Sequence, residues 1–137
     1  MVRVEVIRKR IQKLEEYLSI LREIQKHPLD VFLSTPEYYG SAERFLQLSI
    51  EASIDIGNHL VADLNLGQAE WHSDIPDIFR QKGYISAELC EKWVRMIGFR
   101  NVLVHDYIDV DHKIVYEALQ NRLEDIEALK EVFAKFL

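Results

Sequence analysis

One long stretch of the sequence decides the fold: SAERFLQLSIEASIDIGNHLVADLNL, residues Ser41–Leu66. Its apolar residues recur every three or four positions, which is the spacing of one face of an α-helix. They are Phe45, Leu48, Ala52, Ile56, Leu60 and Leu64, with Ile50, Ile54 and Val61 widening the stripe. So wide a stripe predicts a helix that contacts more than one neighbour. Gly67 follows directly and is expected to take the left-handed conformation that ends such a helix.

The sequence before this stretch has a second helical pattern. Val4–Lys26 carries a single apolar stripe, again with a spacing of three or four residues. This helix is expected to end at His27, because Pro28 follows and the residue before a proline avoids the α region. Leu29–Gly40 is predicted to be a connector with room for a helical turn.

Two further helices are predicted in the middle of the chain. Ser73 or Asp74 is placed to cap a short helix that runs through Phe79 and is closed by Gly83. Ser86 is placed to cap a longer helix. The apolar positions of this longer helix are Leu89, Trp93, Met96 and Ile97.

After Asp109 or Asp111, one last helix is expected to run to Leu137. With only five glycines and three prolines in 137 residues, breaks are few, which favours long helices over many short strands. The sequence therefore predicts an all-α fold, an antiparallel up-and-down bundle of about four main helices plus a short one. No linker or internal repeat interrupts it, so residues 1–137 are predicted to form a single domain.

Composition excludes several classes of protein. A hydrophobic fraction of 48% argues against disorder, and a net charge of −6 argues against a general nucleic-acid coat, which needs excess positive charge. A local nucleic-acid site remains open. The lone Cys90 cannot form a disulfide within one chain. No apolar stretch is long enough to span a membrane, and charges interrupt the first ten residues, so a cytoplasmic protein without a secretory signal is expected.

One segment, Phe99–Tyr107, breaks the plain helical pattern by placing Arg, Asn, His, Asp and Tyr around three apolar residues. Arg100 and His105 lie five positions apart, so on an unbroken helix they would point about 140° away from each other. For both to serve one site, the helix must loosen or end between them. The alternative is that a second subunit completes the site.

This segment resembles the R-x4-H-x-Y motif of HEPN domains, and in particular of the HepT-like toxins. The match consists of Arg100, Asn101, His105 and Tyr107. The upstream helix around Arg44–Leu60, the length of the chain and the position of the motif are also similar to that family. The resemblance therefore covers essentially the whole chain.

The resemblance implies a metal-independent endoribonuclease that needs no cofactor and acts as a homodimer. RNA, unlike DNA, carries its own nucleophile in the 2′-hydroxyl group. His105 is suited to proton transfer near pH 7, and Arg100 to holding the phosphoryl oxygens through its planar, permanently charged guanidinium. Asn101 is expected to support them, by orienting the histidine or contacting the phosphate. One chain supplies a single motif histidine, and a two-fold axis would bring two to one cleft.

The resemblance also implies a partner, the nucleotidyltransferase antitoxin MntA. In the HepT-like toxins the motif tyrosine, here Tyr107, accepts AMP groups from that antitoxin. AMP beside a phosphate-binding cleft would add negative charge and bulk where the substrate phosphate must lie. Two hypotheses from other classes stay open: a non-catalytic helical module that partners a nucleotidyltransferase, and a small-nucleotide-binding regulator that uses the same Arg–His cleft.

Other residues have plainer interpretations. Glu51, Asp55 and His59 lie four residues apart along one helix face, which allows a polar stripe at the cleft or dimer seam, a solvated face, or, least favoured, a metal site. Trp71 and Trp93 are expected to serve packing or an interface rather than base stacking. The N-terminal basic cluster is predicted to be a solvated helix face, or else to extend an RNA path or meet an acidic partner. It consists of Arg3, Arg8, Lys9, Arg10 and Lys13.

Overall fold

The computed structural model describes residues 2–105 and 110–137, and within these ranges the chain forms seven helices and no strand. The helices are α1 (Val4–Gln25), α2 (Leu29–Ser34), α3 (Pro36–Asp63), α4 (Asp74–Gln81), α5 (Ala87–His105), α6 (His112–Asn121) and α7 (Leu123–Ala134). The all-α prediction is confirmed, although the number of helices is larger than predicted.

Helix α3 is the centre of the bundle, because it contacts all six other helices. It buries residues on a broad part of its circumference, as its wide apolar stripe predicted. The buried residues are Ala42, Leu46, Ser49, Ile50, Ser53, Ile54, Ile56, Gly57, Leu60 and Val61. Four predicted stripe members, Phe45, Leu48, Ala52 and Leu64, are only half-buried. The buried stripe includes small residues where α4 and α5 approach closely, since Gly57 lies against Ile75 and Trp93.

The predicted connector between the first two long helices is largely helical, so that prediction was wrong. It contains α2 and the first turns of α3, which begins at Pro36 rather than Ser41. Proline is suited to a first turn, because its fixed φ matches the helix and its missing N–H has no intrahelical acceptor there. Only Thr35, with φ −121° and ψ 97°, separates the two helices.

The end of α3 also differs from the prediction. The helix ends at Asp63, and Asn65, with φ 51°, takes the left-handed position that was expected of Gly67. Leu66 N donates to Val61 O at 3.0 Å and Asn65 N donates to Ala62 O at 3.3 Å, a Schellman pattern. Asparagine is the side chain that best tolerates this conformation after glycine, which explains the earlier end.

Two predicted helix caps are confirmed. Ser86 Oγ accepts a hydrogen bond from Leu89 N at 3.1 Å, at the start of α5. Asp111 Oδ1 accepts one from Lys113 N at 2.9 Å, at the start of α6. Each side chain satisfies a backbone donor that has no partner within its own helix.

The single last helix that the sequence predicted is two helices, α6 and α7, which meet at Arg122. Arg122 has φ −111°, and its carbonyl accepts from Asp125 N at 3.1 Å and Ile126 N at 3.3 Å, so a new first turn begins there. The junction contains neither glycine nor proline, and the apolar periodicity continues through it. Periodicity alone therefore does not reveal the break.

Aromatic side chains from α4, α5 and α7 pack together in the core. The indole ring of Trp93 is fully buried and packs edge-to-face against Phe79 and Phe133, with ring centroids 5.3 Å and 5.7 Å away. Its Nε1 donates to Ser53 Oγ at 3.1 Å. The predicted packing role of Trp93 is confirmed, and Cys90, on the same helix, is buried as well. None of the helices in the described ranges has the length and apolar character needed to cross a bilayer.

Candidate functional site

Arg100, near the end of α5, is held in place by its neighbours. Its Nε donates to Glu51 Oε1 at 3.1 Å, its Nη2 lies 3.0 Å from the same oxygen, and its Nη1 donates to Asn101 Oδ1 at 3.1 Å. Glu51 Oε1 also accepts from Gln47 Nε2 at 3.0 Å, which orients the carboxylate along α3. The guanidinium is thus fixed by two elements, while about a quarter of the Arg100 side chain stays exposed to solvent.

The exposed part of Arg100 lines a polar cleft of about 280 Å³ between α3, α5 and the loop before α4. Glu51, Asp55 and Asn58 form its α3 wall, and His72 reaches it from the loop. One guanidinium and one imidazole therefore face a space that could hold a phosphate group. A hollow of about 340 Å³ on another side of α3, lined by apolar residues such as Met96 and Phe99, contains none of the predicted site residues.

The polar stripe of α3 is engaged by arginines rather than free to bind a metal. Glu51 is paired with Arg100, and Asp55 Oδ2 accepts from Arg10 Nε. His59 Nε2 lies 3.5 Å from Asp55 Oδ1. In residues 2–105 and 110–137 there is no group of three or more histidine, cysteine, aspartate or glutamate side chains arranged to hold a metal ion. Glu51 and Asp55 line the cleft, as one of the sequence interpretations expected, and His59 does not.

Part of the N-terminal basic cluster lies next to this cleft. Arg10 and Lys13 line a second depression, of about 340 Å³, between α1 and α3. Glu51 and Asp55 border both depressions, so they separate the α1 cations from Arg100. The solvated-face interpretation is therefore too simple for Arg10, which bonds to Asp55 across the helix interface.

Arg3, at the start of α1, makes a further connection to α3. It donates from its backbone N to Asp63 Oδ2 at 3.2 Å and from its Nε to Asp63 Oδ1 at 3.1 Å. These hydrogen bonds to the Arg3 side chain hold the pKa of Asp63 below its ordinary value. Its Nη2 lies 2.9 Å from His59 Nδ1.

His105 lies apart from the Arg100 cleft. Helix α5 continues without a break to its last residue, His105. The side chain of His105 is exposed. Five helical positions rotate it about 140° from Arg100, so the helix does not loosen between them and the two do not share a face. Of the two alternatives that the sequence left open, a helix that loosens between Arg100 and His105 is therefore not observed. Tyr107, like Asp106 and Asp109, lies outside the described residues.

The structure also adds one residue that sequence reasoning did not place at the site. His72 lines the cleft together with Arg100. Trp71, expected to serve packing or an interface, is 72% exposed, so it does not pack in the core of this chain. Both lie in the loop between α3 and α4, where no periodicity indicates the direction of a side chain. Burial raises the pKa of the Cys90 thiol, so this cysteine is not activated as a nucleophile.

Comparison with known proteins agrees with this description. A family model described as ribonuclease HepT-like matches residues 7–133. The tRNA nuclease HepT of Aphanizomenon flos-aquae is 30% identical over 119 residues, which cover 87% of this chain and 81% of that protein. The mRNA nuclease HepT of Shewanella oneidensis is 36% identical over 87 residues, which cover 64% and 65% of the two chains.

Solved structures are similar over nearly the whole chain. A crystal structure of a toxin–antitoxin complex with AMP-PNP superposes with a TM-score of 0.87 at 26% identity, covering 96% of this chain and 98% of the other. Tri-AMPylated Shewanella oneidensis HEPN toxin, in complex with MNT antitoxin, gives a TM-score of 0.86 at 27% identity, covering 95% and 97%. With a family model that spans almost its full length, the chain belongs to the HepT-like ribonuclease family.

Proposed function

We propose that this protein is the toxin of a toxin–antitoxin pair and that it cleaves RNA as a metal-independent endoribonuclease. The observation that carries the proposal is the fixed, partly exposed guanidinium of Arg100 at the wall of a polar cleft, in a chain of the HepT-like ribonuclease family. The related HepT proteins named as tRNA and mRNA nucleases support RNA as the substrate class. The proposed location is the cytoplasm, where that RNA is found.

In the proposed reaction the 2′-oxygen of a ribose attacks the adjacent phosphorus, and the bond from phosphorus to the 5′-oxygen of the next nucleotide breaks. The products are a 2′,3′-cyclic phosphate and a free 5′-hydroxyl group. One group must accept the proton of the 2′-hydroxyl and another must donate a proton to the leaving oxygen. Arg100 would hold the phosphoryl oxygens as negative charge develops on them, and a histidine is suited to either proton transfer.

The position of His105 favours a homodimer as the active form. Because His105 and Arg100 lie on different faces of α5, the motif histidine of one subunit would serve a cleft beside the motif arginine of the other. Asn101, which bonds to Arg100 and is itself exposed, is proposed as the supporting residue that fixes the rotamer of the arginine.

The proposed regulator is an MntA-like nucleotidyltransferase antitoxin. The tri-AMPylated state of the Shewanella oneidensis toxin supports AMP transfer as the means of neutralisation. We assign Tyr107 as the acceptor, two residues beyond His105 in the motif. Mass spectrometry after incubation with the antitoxin and ATP tests the assignment. AMP-sized mass increments that disappear in Tyr107→Phe are expected, and increments that persist in this variant would contradict it.

The nuclease itself is tested by RNA integrity after expression of wild type, Arg100→Ala and His105→Ala. Expression of wild type is expected to arrest growth and degrade RNA. In a cleavage reaction, wild type is expected to cut RNA at equal rates in magnesium and in EDTA. Both variants are expected to lose at least about 100-fold of this activity. Helical circular dichroism verifies that the variants are folded. Intact RNA and normal growth with wild type would contradict the nuclease and favour a non-catalytic interaction module instead.

A further inference from the structure

We propose that Trp71 and His72 form a nucleotide subsite at the rim of the Arg100 cleft. Trp71 stacks on an unpaired base of single-stranded RNA, and His72 contacts the phosphate of the same nucleotide. This inference rests on the proposed function, because it takes RNA as the ligand. It names two residues outside the R-x4-H-x-Y motif as part of substrate binding.

The first observation is the exposure of Trp71. At 72%, its side chain is the most exposed large hydrophobic residue in the described part of the chain. Ile114, the next in order, is 53% exposed. The other tryptophan, Trp93, is fully buried. The exposed indole ring of Trp71 is therefore accessible for stacking with a ligand.

The second observation is that the loop holds Trp71 in a defined position. Asp74 Oδ2 accepts from Trp71 N at 2.9 Å and from Glu70 N at 3.0 Å. Asp74 N donates to Trp71 O at 3.0 Å, and Ile75 N donates to His72 O at 3.2 Å. Ile75 is buried, which anchors the turn in the core. Trp71 is therefore held outward by a fixed backbone, so little conformational freedom is lost when a base stacks on it.

The third observation is the continuity between this loop and the cleft. His72 follows Trp71 directly and lines the cleft together with Arg100. A base on Trp71 would thus carry its own phosphate toward an imidazole and a guanidinium. The other charged groups of the cleft are Glu51 and Asp55, and each is bonded to an arginine. The negative charge of Asp55 is therefore partly compensated by Arg10, which is not one of the proposed phosphate-binding groups.

Stacking also suits the charge of the chain. With a net charge of −6, the protein cannot bind RNA through general attraction to phosphates. Base stacking on an aromatic ring is tolerant of sequence and does not depend on net charge. The phosphate-binding groups beside Trp71 favour RNA over a protein as the ligand that contacts this ring. A protein contact would not need them.

The two tryptophans provide a direct test in the His105→Ala variant, which keeps the loop. A single-stranded 2′-O-methyl oligonucleotide serves as the probe, since its blocked 2′-oxygen prevents cleavage. Tryptophan fluorescence should be quenched on binding, because Trp71 is exposed and Trp93 is shielded. Trp71→Ala should abolish this quenching and raise the Kd about 10-fold, within the range for loss of one stacked aromatic ring. His72→Ala should raise the Kd severalfold, and Ile114→Ala, an exposed apolar control, should leave it unchanged.

An unchanged Kd in Trp71→Ala overturns the subsite, whether or not wild type cleaves RNA. Normal oligonucleotide binding combined with loss of self-association or antitoxin binding in size-exclusion chromatography also overturns it, and identifies a protein contact instead. If wild type fails to cleave RNA while Trp71→Ala still raises the Kd, the proposed nuclease fails and the subsite stands. Circular dichroism of Trp71→Ala, whose side chain packs on nothing in the core, verifies the fold.

Discussion

Arg100 and Glu51 form an ion pair centred on a single oxygen, because Glu51 Oε1 accepts a hydrogen bond from Nε at 3.1 Å and lies 3.0 Å from Nη2. The carboxylate therefore has two opposite effects on the arginine. It fixes the direction of the guanidinium, and it competes with any phosphate for the same positive charge. The positioning effect and the competing effect of Glu51 can be separated by experiment.

Two substitutions at Glu51 are expected to differ in their kinetics. Glu51→Gln removes the charge but keeps an oxygen that can accept from Arg100, so we expect a lower KM for RNA with kcat little changed. Glu51→Ala removes the acceptor too, so we expect kcat to fall about 10- to 100-fold through misplacement of the guanidinium. Steady-state cleavage of a defined RNA measures both constants. Equal loss of kcat in the two variants would show that charge, not position, is what Glu51 contributes.

The hydrogen bond between Trp93 Nε1 and Ser53 Oγ is expected to matter for stability. Ser53→Ala leaves a buried indole N–H without its acceptor, which should lower the free energy of unfolding by about 1–3 kcal/mol. Ser49→Ala is the matched control one turn earlier on α3. Ser49 Oγ is buried and has no hydrogen-bond partner among the described residues, so its loss should be neutral or stabilising. Urea unfolding measures the free energy of unfolding of both variants. Equal destabilisation of the two would show that the Trp93–Ser53 hydrogen bond does not contribute to stability.

Gly57 is required by close packing between α3 and its neighbours. A Cβ atom at this position would lie 2.8 Å from Ile75 Cγ2 and 3.1 Å from Trp93 Cη2. We expect Gly57→Ala to destabilise the fold by about 1–3 kcal/mol despite the better helix propensity of alanine. Gly40→Ala, on the same helix with nothing within 4 Å, should be stabilising. Thermal unfolding of the pair tests the packing argument, which fails if Gly57→Ala is as stable as Gly40→Ala.

The Arg3–Asp63 contact predicts a pH-dependent contribution to stability. The folded-state pKa of Asp63 is lowered by Arg3 from an ordinary value of 3.8, so its stabilisation is present above that value and is lost as the pH falls through the folded pKa. Asp63→Asn should lower the Tm at pH 7 on the order of 1 °C, because the Arg3 side chain is exposed and solvent screens the pair. The difference should shrink as the pH falls below 3.8. Glu131→Gln, an exposed carboxylate on α7, is the control, and a Tm difference that persists in acid would contradict the assignment.

The long helices could be predicted from the sequence because periodicity over many residues has one interpretation. The ends of the helices were harder to predict. Pro36 was counted as part of a connector although it begins α3, and Asn65 took the conformation expected of Gly67, since either residue tolerates positive φ. The break at Arg122 has no local signal at all, because it depends on how two helix segments pack.

The site was predicted only in part. The motif identified Arg100, but nothing in the sequence says that Glu51, 49 residues earlier, would hold it, because that depends on the crossing of α3 and α5. His72 was missed for another reason. It lies on a loop, where neither periodicity nor motif indicates which way a side chain points.

The central position of α3 has a consequence for how such an enzyme can be silenced. The helix that packs against all six others also carries Glu51, the residue that aims Arg100. Local unfolding at an edge of the bundle would leave the Glu51–Arg100 pair in place, whereas unfolding of α3 would unfold the whole chain. The Arg100 part of the site is therefore formed whenever the chain is folded, so inactivation would have to come from outside the fold, either from a covalent group or from a bound partner that covers the cleft.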